Sequence, residues 1–205
     1  MSFSIYQLKP QFQRLLQPLM RALVRWRVSP NQITVATMLL SVAYGAALAW
    51  QPQCAGLWIG LPAFLLLRMA LNAIDGMLAN ATGQKTRLGT LLNEICDQVS
   101  DVALYLPFML GAGVAAWLVL LAVIGGLLAE FAGVIALAVG ATRRFDGPMG
   151  KSDRAFWFGL LGLLIGFDSA APLIHAVPSL VAVLSVWTVV NRLRQALRAS
   201  APTTR

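Results

Sequence analysis

Residues 68–101 read RMALNAIDGMLANATGQKTRLGTLLNEICDQVSD, which places charged and amide side chains inside an otherwise apolar chain. Long apolar runs lie on both sides of this stretch, and the segment 112–141 contains one charged residue, Glu130. An ionisable side chain at bilayer depth is costly, so it usually pairs, lines a wet cavity or serves a function. The stretch therefore predicts membrane helices that carry a polar site.

The composition is that of a membrane protein. Of the 205 residues, 58% are apolar without counting glycine and 12% are charged, whereas a soluble domain has about 25% charged residues. Six spans of about 20 residues would use about 120 positions, which matches the apolar content. These values exclude a soluble enzyme, a secreted disulfide scaffold and a disordered chain. A membrane barrel is excluded because the apolar stretches do not alternate with polar residues.

The predicted fold is an all-α polytopic membrane protein with six transmembrane helices after an amphipathic surface helix. Apolar residues at three- and four-residue steps, with arginines between them, predict the surface helix within residues 1–29. A transmembrane catalytic domain follows at 30–198, and a cytoplasmic tail at 199–205. The six spans are predicted at about 31–50, 55–80, 88–110, 113–140, 155–171 and 177–195.

Basic residues predict the orientation in the membrane. The segments 81–87 and 141–154 and the C-terminal tail are basic, whereas the alternate loops near 51–54, 111–112 and 172–176 contain no lysine or arginine. Because positively charged loops stay in the cytoplasm, both termini are expected on the cytoplasmic side of the inner membrane. Orientation and anionic lipid headgroups account for the net charge of +8, so no nucleic-acid partner is expected.

Two polar stripes lie on consecutive predicted helices. Steps of three and four residues put Asn72, Asp75, Gly76 and Ala79 on one face, and Gly89, Asn93, Asp97 and Asp101 on another. The short basic loop between these helices makes them antiparallel, so the stripes are expected to face each other near the cytoplasmic surface. Carboxylates can hold divalent cations against phosphate oxygens, and glycines make room for a diphosphate, so this arrangement favours phosphoryl transfer.

The pattern Asn72-x2-Asp75-Gly76-x2-Ala79-Asn80-x8-Gly89-x3-Asn93-x3-Asp97 resembles the CDP-alcohol phosphotransferase family. The family's own pattern is Asp-x2-Asp-Gly-x2-Ala-Arg-x8-Gly-x3-Asp-x3-Asp, with the same spacing. The segments 30–34 (PNQIT) and 150–152 (GKS) also resemble those before the family's first and fifth spans. The chain looks most like an asparagine-substituted bacterial subgroup. The resemblance implies the six-span fold with its surface helix, and a homodimer.

The resemblance also implies a role for each matching residue. Asp75 and Asp97, helped by Asn72 and Asn93, would hold one or two Mg²⁺ or Mn²⁺ ions, and Asp97 is the candidate base. The residues expected beside the nucleotide and its diphosphate are Gly76, Ala79, Asn80, Gly89 and Arg87. Two neutral amides replace two carboxylates of the family pattern, so the site is expected to bind a second cation weakly.

Several interpretations stay open at this point. Glu94 and Asp101 could compensate for the missing carboxylates, or they could pair with Arg68 or a polar neighbour. In the family pattern an arginine stands at the position of Asn80. Lys85 or Arg87 could take over the role of that arginine, or they could serve only to orient the chain in the membrane. Glu130 could balance Arg68 inside the bundle. The basic residues Arg143, Arg144, Lys151 and Arg154 could bind a phosphorylated acceptor, although positive-inside bias predicts them as well.

We expect an enzyme of phospholipid biosynthesis that transfers a phosphatidyl group from CDP-diacylglycerol, or another CDP-linked donor, to an alcohol and releases CMP. The alternative is a non-catalytic lipid- or nucleotide-binding relative that has lost two metal-binding carboxylates. A small transporter is disfavoured, because the polar residues gather at one membrane face and form no path across.

Overall fold

The computed structural model describes residues 9–111 and 113–200, and every regular element within these ranges is a helix. The α-helices are α1 (Lys9–Arg25), α2 (Pro30–Trp50), α3 (Ala55–Thr82), α4 (Arg87–Tyr105), α5 (Ala116–Ile135), α6 (Lys151–Gly166) and α7 (Ala171–Ser200). Short 3₁₀ segments, Leu106–Met109 and Ala136–Val139, extend α4 and α5. The all-α prediction is confirmed.

Four helices are long and apolar enough to cross a membrane: Pro30–Trp50, Ala55–Thr82, Ala116–Val139 and Ala171–Ala199. The chain is therefore a helical membrane protein. Helix α4 is too polar to meet the same standard, because it contains Arg87, Glu94, Asp97 and Asp101. Helix α6 has 16 residues, which is about 24 Å of helix against a hydrocarbon core of about 30 Å. The count of six spans stays a prediction.

Helix α1 packs its inner face against the helices that follow it. Leu16 and Leu23 lie on the apolar cluster of Ile33, Ile74 and Leu78. The outer face exposes both basic and apolar side chains, namely Arg14, Leu15, Leu19 and Arg21. Residues 1–8 of the predicted surface segment and 201–205 of the predicted tail lie outside the described residues.

Two compact units make up the chain. The first combines residues up to Ala46 with Ala63–Leu104, so it holds α1, α4 and most of α2 and α3. Within it, α2 and α4 approach each other at Gly45, where a Cβ atom would lie only 2.0 Å from the backbone oxygen of Ala103. The ring of Tyr44 stacks on Phe64 at 4.4 Å between centroids.

The second unit combines Ala47–Pro62 with the residues from Tyr105 onwards, and it is built around α5, α6 and α7. Helices α5 and α7 pack closely at Gly125, where a Cβ atom would lie 2.9 Å from the Ser185 Cβ. The core is aromatic, because the Phe158 ring stacks on Tyr105 at 4.0 Å and lies 5.3 Å from Phe108. These contacts involve the helices α5, α6 and α7, which carry Glu130, Arg154 and Arg192 of the cluster described below.

Candidate active site

A tight connection turns α3 back into α4. Gly83 directly follows α3 and has a φ of +68°, a left-handed conformation that suits glycine at the end of a helix. The Thr86 hydroxyl accepts a hydrogen bond from the Gly89 amide at 2.9 Å and so caps the start of α4. The polar stripes of the two helices can then meet.

The first contact between the stripes joins Asn72 to Asp97. The Asn72 side-chain amide donates a hydrogen bond to Asp97 Oδ1 at 3.0 Å. Both side chains are half-buried. The structure therefore brings together two residues that the spacing placed on facing helices.

The second contact lies one helical turn further from the loop, where Arg68 of α3 meets Asp101 of α4. Arg68 Nη1 donates to Asp101 Oδ1 at 2.6 Å. Arg68 Nη2 donates to the backbone oxygen of Asp97 at 3.0 Å and lies 3.9 Å from Asp97 Oδ1. Both members of the ion pair are buried. Of the two interpretations of Asp101, the structure shows the ion pair with Arg68.

Asp75 is fixed by a residue of α2. The Thr34 hydroxyl donates to Asp75 Oδ2 at 2.8 Å, and both residues are 6% exposed. Thr34 belongs to the PNQIT segment, but no role was predicted for it. The resemblance of that segment to the family was the only sequence signal for Thr34. The contact could not be predicted from helix periodicity, because Thr34 and Asp75 are 41 residues apart in the sequence.

The predicted nucleotide-binding residues lie at or near the surface. Gly76 is exposed, and a Cβ atom there would have no neighbour within 4 Å. At Gly89 a Cβ atom would lie 2.8 Å from Asn31 Oδ1 and 3.1 Å from Thr86 Oγ1. Asn31 is therefore a second site neighbour that the sequence did not single out.

Five more residues of the predicted site lie on the same two helices, α3 and α4. Ala79, Asn93 and Glu94 are half-buried, whereas Asn80 and Arg87 are exposed. Lys85, the alternative to Arg87 as a substitute for the family arginine, is also exposed. The exposed positions near the α3–α4 connection leave these side chains accessible to a ligand.

The oxygen donors of this region fit a hard divalent cation. Within the described residues, no three His, Cys, Asp or Glu side chains are arranged to hold a metal ion. Asparagine adds to these side chains, because its amide oxygen can ligate Mg²⁺ or Mn²⁺ beside carboxylates. Asp75, Asp97 and Asn72 supply such a mixed donor set, with Asp75 held by Thr34 and Asp97 by Asn72.

A basic cluster in the second unit surrounds Glu130 of α5. Glu130 Oε1 lies 3.2 Å from Arg154 Nη1 and 3.4 Å from Arg192 Nη1, and Glu130 Oε2 lies 3.6 Å from Arg143 Nη2. The prediction that Glu130 balances Arg68 is wrong, because Arg68 pairs with Asp101. The position of Glu130 in an apolar span predicted that it faces the bundle interior, but it could not predict which arginines form ion pairs with it.

The loop before α6 completes this basic cluster. Arg144 forms two hydrogen bonds to the Asp146 carboxylate, at 2.8 and 3.1 Å. Arg192 Nε donates to the Asp146 backbone oxygen at 3.1 Å. Arg192 was missed in the sequence as a site residue, since it lies among several other basic residues near the C-terminus. Lys151 is half-buried at the start of α6.

Comparison with known proteins assigns the fold and the family. The family model for CDP-alcohol phosphatidyltransferases matches residues 27–193. The inner membrane protein YnbA of Escherichia coli is 43% identical over 97% of this chain and 98% of its own. The archaetidylinositol phosphate synthase of Aeropyrum pernix is 32% identical over 82% of this chain and 83% of its own.

Solved structures share the same fold. The phosphatidylinositol phosphate synthase of Mycobacterium tuberculosis with CDP-DAG bound has a TM-score of 0.78 at 23% identity, covering 94% of this chain and 98% of its own. The same enzyme with manganese and citrate has a TM-score of 0.77 at 23% identity, covering 92% and 91%.

The chain belongs to the CDP-alcohol phosphatidyltransferase family. It is a membrane enzyme of phospholipid synthesis, which transfers a substituted phosphate group from a CDP-linked alcohol to an acceptor alcohol. The predicted family, activity class and membrane character are confirmed, and the interpretation as a non-catalytic relative is set aside.

Proposed function

We propose that the donor is CDP-diacylglycerol, the acceptor is a phosphorylated alcohol, and the products are a phosphatidyl ester of that alcohol and CMP. The observation that carries this proposal is the contact of Asn72 with Asp97 across α3 and α4. It brings the two halves of the Asp75 and Asp97 motif together. The Mycobacterium tuberculosis structure with CDP-DAG bound supports the choice of donor.

In the proposed reaction, the acceptor hydroxyl oxygen attacks the phosphorus of the phosphatidyl group. A new P–O bond forms as the P–O bond to CMP breaks, and CMP leaves with that bond's electron pair. Asp97 accepts the proton of the attacking hydroxyl. The hydrogen bond from Asn72 and the nearby Arg68 guanidinium orient the Asp97 carboxylate for this role.

We propose that Asp75, Asp97, Asn72 and Asn93 hold Mg²⁺ or Mn²⁺. The bound cation would supply electrostatic stabilisation of the diphosphate charge. The related structure with manganese and citrate supports a divalent cation. Glu94 lies on α4 beside Asn93 and is an additional candidate ligand.

The nucleotide and its diphosphate would lie against the loop end of the α3–α4 hairpin, where α3 ends and α4 begins. Gly76 offers open space there. Ala79, Asn80 and Gly89 would border the nucleotide, and Arg87 would contact the diphosphate. The absence of a side chain at Gly76 would let phosphate oxygens approach the helix closely.

The charge of the cluster around Glu130 supports a phosphorylated acceptor. Four arginines, Arg143, Arg144, Arg154 and Arg192, contact the two carboxylates of Glu130 and Asp146. Four positive and two negative charges leave a net charge of +2, which a phosphate dianion would balance. Lys151, at the start of α6, is a further basic residue that we propose for acceptor binding. The relative from Aeropyrum pernix is named an archaetidylinositol phosphate synthase, so inositol phosphate is the first acceptor to test.

We further propose six spans after an interfacial helix α1, with both termini in the cytoplasm. The Escherichia coli relative is named an inner membrane protein, which supports that membrane for this chain. A homodimer is the proposed assembly.

Purified protein in detergent, incubated with CDP-diacylglycerol, inositol phosphate and Mg²⁺ or Mn²⁺, tests this function. We expect CMP release, together with a new lipid whose mass identifies the acceptor. Asp75→Asn should abolish the release, and an excess of chelator should stop it. Activity that persists in excess chelator would contradict the metal-dependent mechanism.

The acceptor part is tested separately with Arg143→Ala. Of the three arginines paired with Glu130, Arg143 is the most accessible: 29% of its side chain is exposed, compared with 2% for Arg154 and Arg192. We expect the KM for inositol phosphate to rise about tenfold or more and the KM for CDP-diacylglycerol to stay within about twofold, because a charge-assisted contact to phosphate is lost. An unchanged acceptor KM would contradict phosphate binding by Arg143.

A further inference from the structure

Helix α1 carries only positive charge. All of its charged residues are basic, and the first acidic residue of the chain is Asp75, in α3. Arg14, Arg21 and Arg25 are spaced by seven and four residues, so they share one face of the helix, and all three are exposed. This arginine stripe attracts a surface of negative charge.

A second exposed stripe of α1 is apolar. Leu15, Leu19 and Trp26 are spaced by four and seven residues, and their exposed fractions are 76%, 47% and 71%. The helical hydrogen bonding continues to Trp26, whose amide donates to the Ala22 backbone oxygen at 3.0 Å, so the three side chains lie on one face. Apolar side chains beside arginines are typical of a helix at the boundary between lipid headgroups and acyl chains. A lipid surface therefore fits this helix better than a soluble acidic partner does.

The inner face of α1 packs beside the hydrogen bond that fixes Asp75. The residues of this packing are Leu16 and Leu23 of α1, Ile33 of α2, and Ile74 and Leu78 of α3. Ile33 directly precedes Thr34 in the chain, and Ile74 directly precedes Asp75. The Thr34 hydroxyl donates to Asp75 Oδ2 at 2.8 Å. Helix α1 thus contacts the immediate neighbours of both partners of this hydrogen bond.

We infer that the two exposed stripes of α1 dock on an anionic lipid leaflet, and that this docking steadies the packing behind Thr34 and Asp75, so that CMP release is faster in anionic than in zwitterionic lipid. The arginine stripe contacts lipid phosphates, while the apolar stripe enters the acyl boundary. The effect on the rate rests on the proposed function, because it acts through Asp75, whereas the docking itself does not.

Docking is tested with an environment-sensitive fluorophore on the full chain. A bimane label is attached to Leu15→Cys in a Cys54→Ser background, since Cys96 is buried. The protein is placed in nanodiscs of phosphatidylcholine, with or without phosphatidylglycerol. We expect emission at shorter wavelength with phosphatidylglycerol, because residue 15 then enters a less polar environment. Identical spectra in the two lipids would overturn the inference. A shift caused only by added nucleic acid or acidic polypeptide would also overturn it and indicate a soluble partner.

Two double variants separate α1 from general charge attraction. Arg21→Gln with Arg25→Gln removes two arginines of the stripe, and the shift caused by phosphatidylglycerol should fall to about a third or less. The matched control is Arg194→Gln with Arg198→Gln, which removes two arginines of α7 at the same four-residue spacing and should keep the full shift. All four arginines are exposed, so neither variant removes a buried contact. Equal losses in the two variants would contradict docking by α1.

CMP release in the same nanodiscs tests the effect on the site, with CDP-diacylglycerol held at a fixed mole fraction. The natural rate should be about threefold or more higher with phosphatidylglycerol, and Arg21→Gln with Arg25→Gln should lose most of this difference. An anionic surface also concentrates Mg²⁺, but that effect does not depend on α1. A lipid dependence that persists in full in this variant would therefore overturn the inference.

Hydrogen exchange separates this inference from the proposed function. We expect backbone amides of residues 71–82 to exchange more slowly with phosphatidylglycerol than without it, and to lose that difference in Arg21→Gln with Arg25→Gln. Slower exchange together with the emission shift, but without CMP release in any lipid, would support the inference and count against the function. CMP release at the same rate in both lipids would support the function and overturn the inference.

Discussion

The hydroxyl of Thr34 holds Asp75 through a buried hydrogen bond, so its removal should disturb the metal ligand. We predict that Thr34→Val lowers CMP release about tenfold or more, since a buried hydrogen bond to a charged group is lost. Thr34→Ser keeps the hydroxyl and should retain most activity. The assay is the rate of CMP release at several Mn²⁺ concentrations.

Thr37 provides a matched control one turn further along α2. Its hydroxyl is also buried, but it donates to the Ile33 backbone oxygen. Thr37→Val should therefore keep the natural rate. Equal losses in the two valine variants would indicate a general packing effect rather than a role for the hydroxyl at Asp75.

The asparagines at 72 and 93 are expected to be functional replacements. The Asn72 amide donates to Asp97 at 3.0 Å, whereas an aspartate there would present one carboxylate to another. We predict that Asn72→Asp combined with Asn93→Asp reduces CMP release, because the added negative charges repel Asp97 in a partly buried site. Asp101→Asn should also lower activity, since it leaves Arg68 unbalanced. Faster CMP release by the double variant at saturating Mg²⁺ would show instead that the site had decayed.

Spacing along the helices predicted which polar residues share a face, and so predicted that Asn72 and Asp97 would lie near each other. It could not predict that Asn72 would act as a donor to Asp97, because the rotation of an amide depends on its neighbours. Thr34 and Asn31 reach the site from α2, and no periodicity within α3 or α4 contains that information.

Substitution of two glycines by alanine is expected to have opposite effects: Gly45→Ala should reduce stability, whereas Gly76→Ala should reduce substrate binding. A Cβ atom at Gly45 would meet the Ala103 backbone oxygen at 2.0 Å, so Gly45→Ala should force α2 and α4 apart. We expect a loss of about 2–3 kcal/mol in the free energy of unfolding, as in overpacked cores. Thermal unfolding in detergent measures it, and an unchanged midpoint would contradict the close approach.

Gly76→Ala is the complementary change, since the space around Gly76 is open. The variant should be as stable as the natural protein or up to about 1 kcal/mol more stable, because alanine favours a helix over glycine. Its KM for CDP-diacylglycerol should nevertheless rise severalfold if the diphosphate lies against this helix face. A natural KM in this variant would remove Gly76 from the proposed binding surface.

Helix formation and approximate helix bounds followed from long apolar runs interrupted by glycine and loop residues. The ends of α6 were predicted less well: the helix begins at Lys151 and ends at Gly166, whereas the span was predicted at about 155–171. The start of α6 is stabilised by a cap, in which the Gly150 amide donates a hydrogen bond to Asp153 at 3.0 Å. An apolar run alone does not reveal such a cap.

The number of membrane crossings can be tested by cysteine labelling in a Cys54→Ser background, since Cys54 is exposed and Cys96 is buried. Six spans place residues 85, 143, 151 and 194 in the cytoplasm and residues 53 and 175 on the other side. If α4 and α6 did not cross, positions 143 and 151 would be labelled from outside while position 85 stayed inside. We expect a cysteine at 151 to be protected from an impermeant reagent in intact cells. Labelling of that cysteine from outside would contradict the six-span topology.

The ion pair between Arg68 and Asp101 has a consequence for the biogenesis of the protein. Arg68 leaves the ribosome 33 residues before Asp101, so α3 is synthesised with a charge that its later partner has not yet neutralised. Helix α4, with its own charged residues, is a poor substrate for independent transfer from the translocon into lipid. The two helices are therefore expected to leave the translocon together as a hairpin, with the salt bridge already formed. In this way a contact that serves the mature site also sets the order in which the helices enter the membrane.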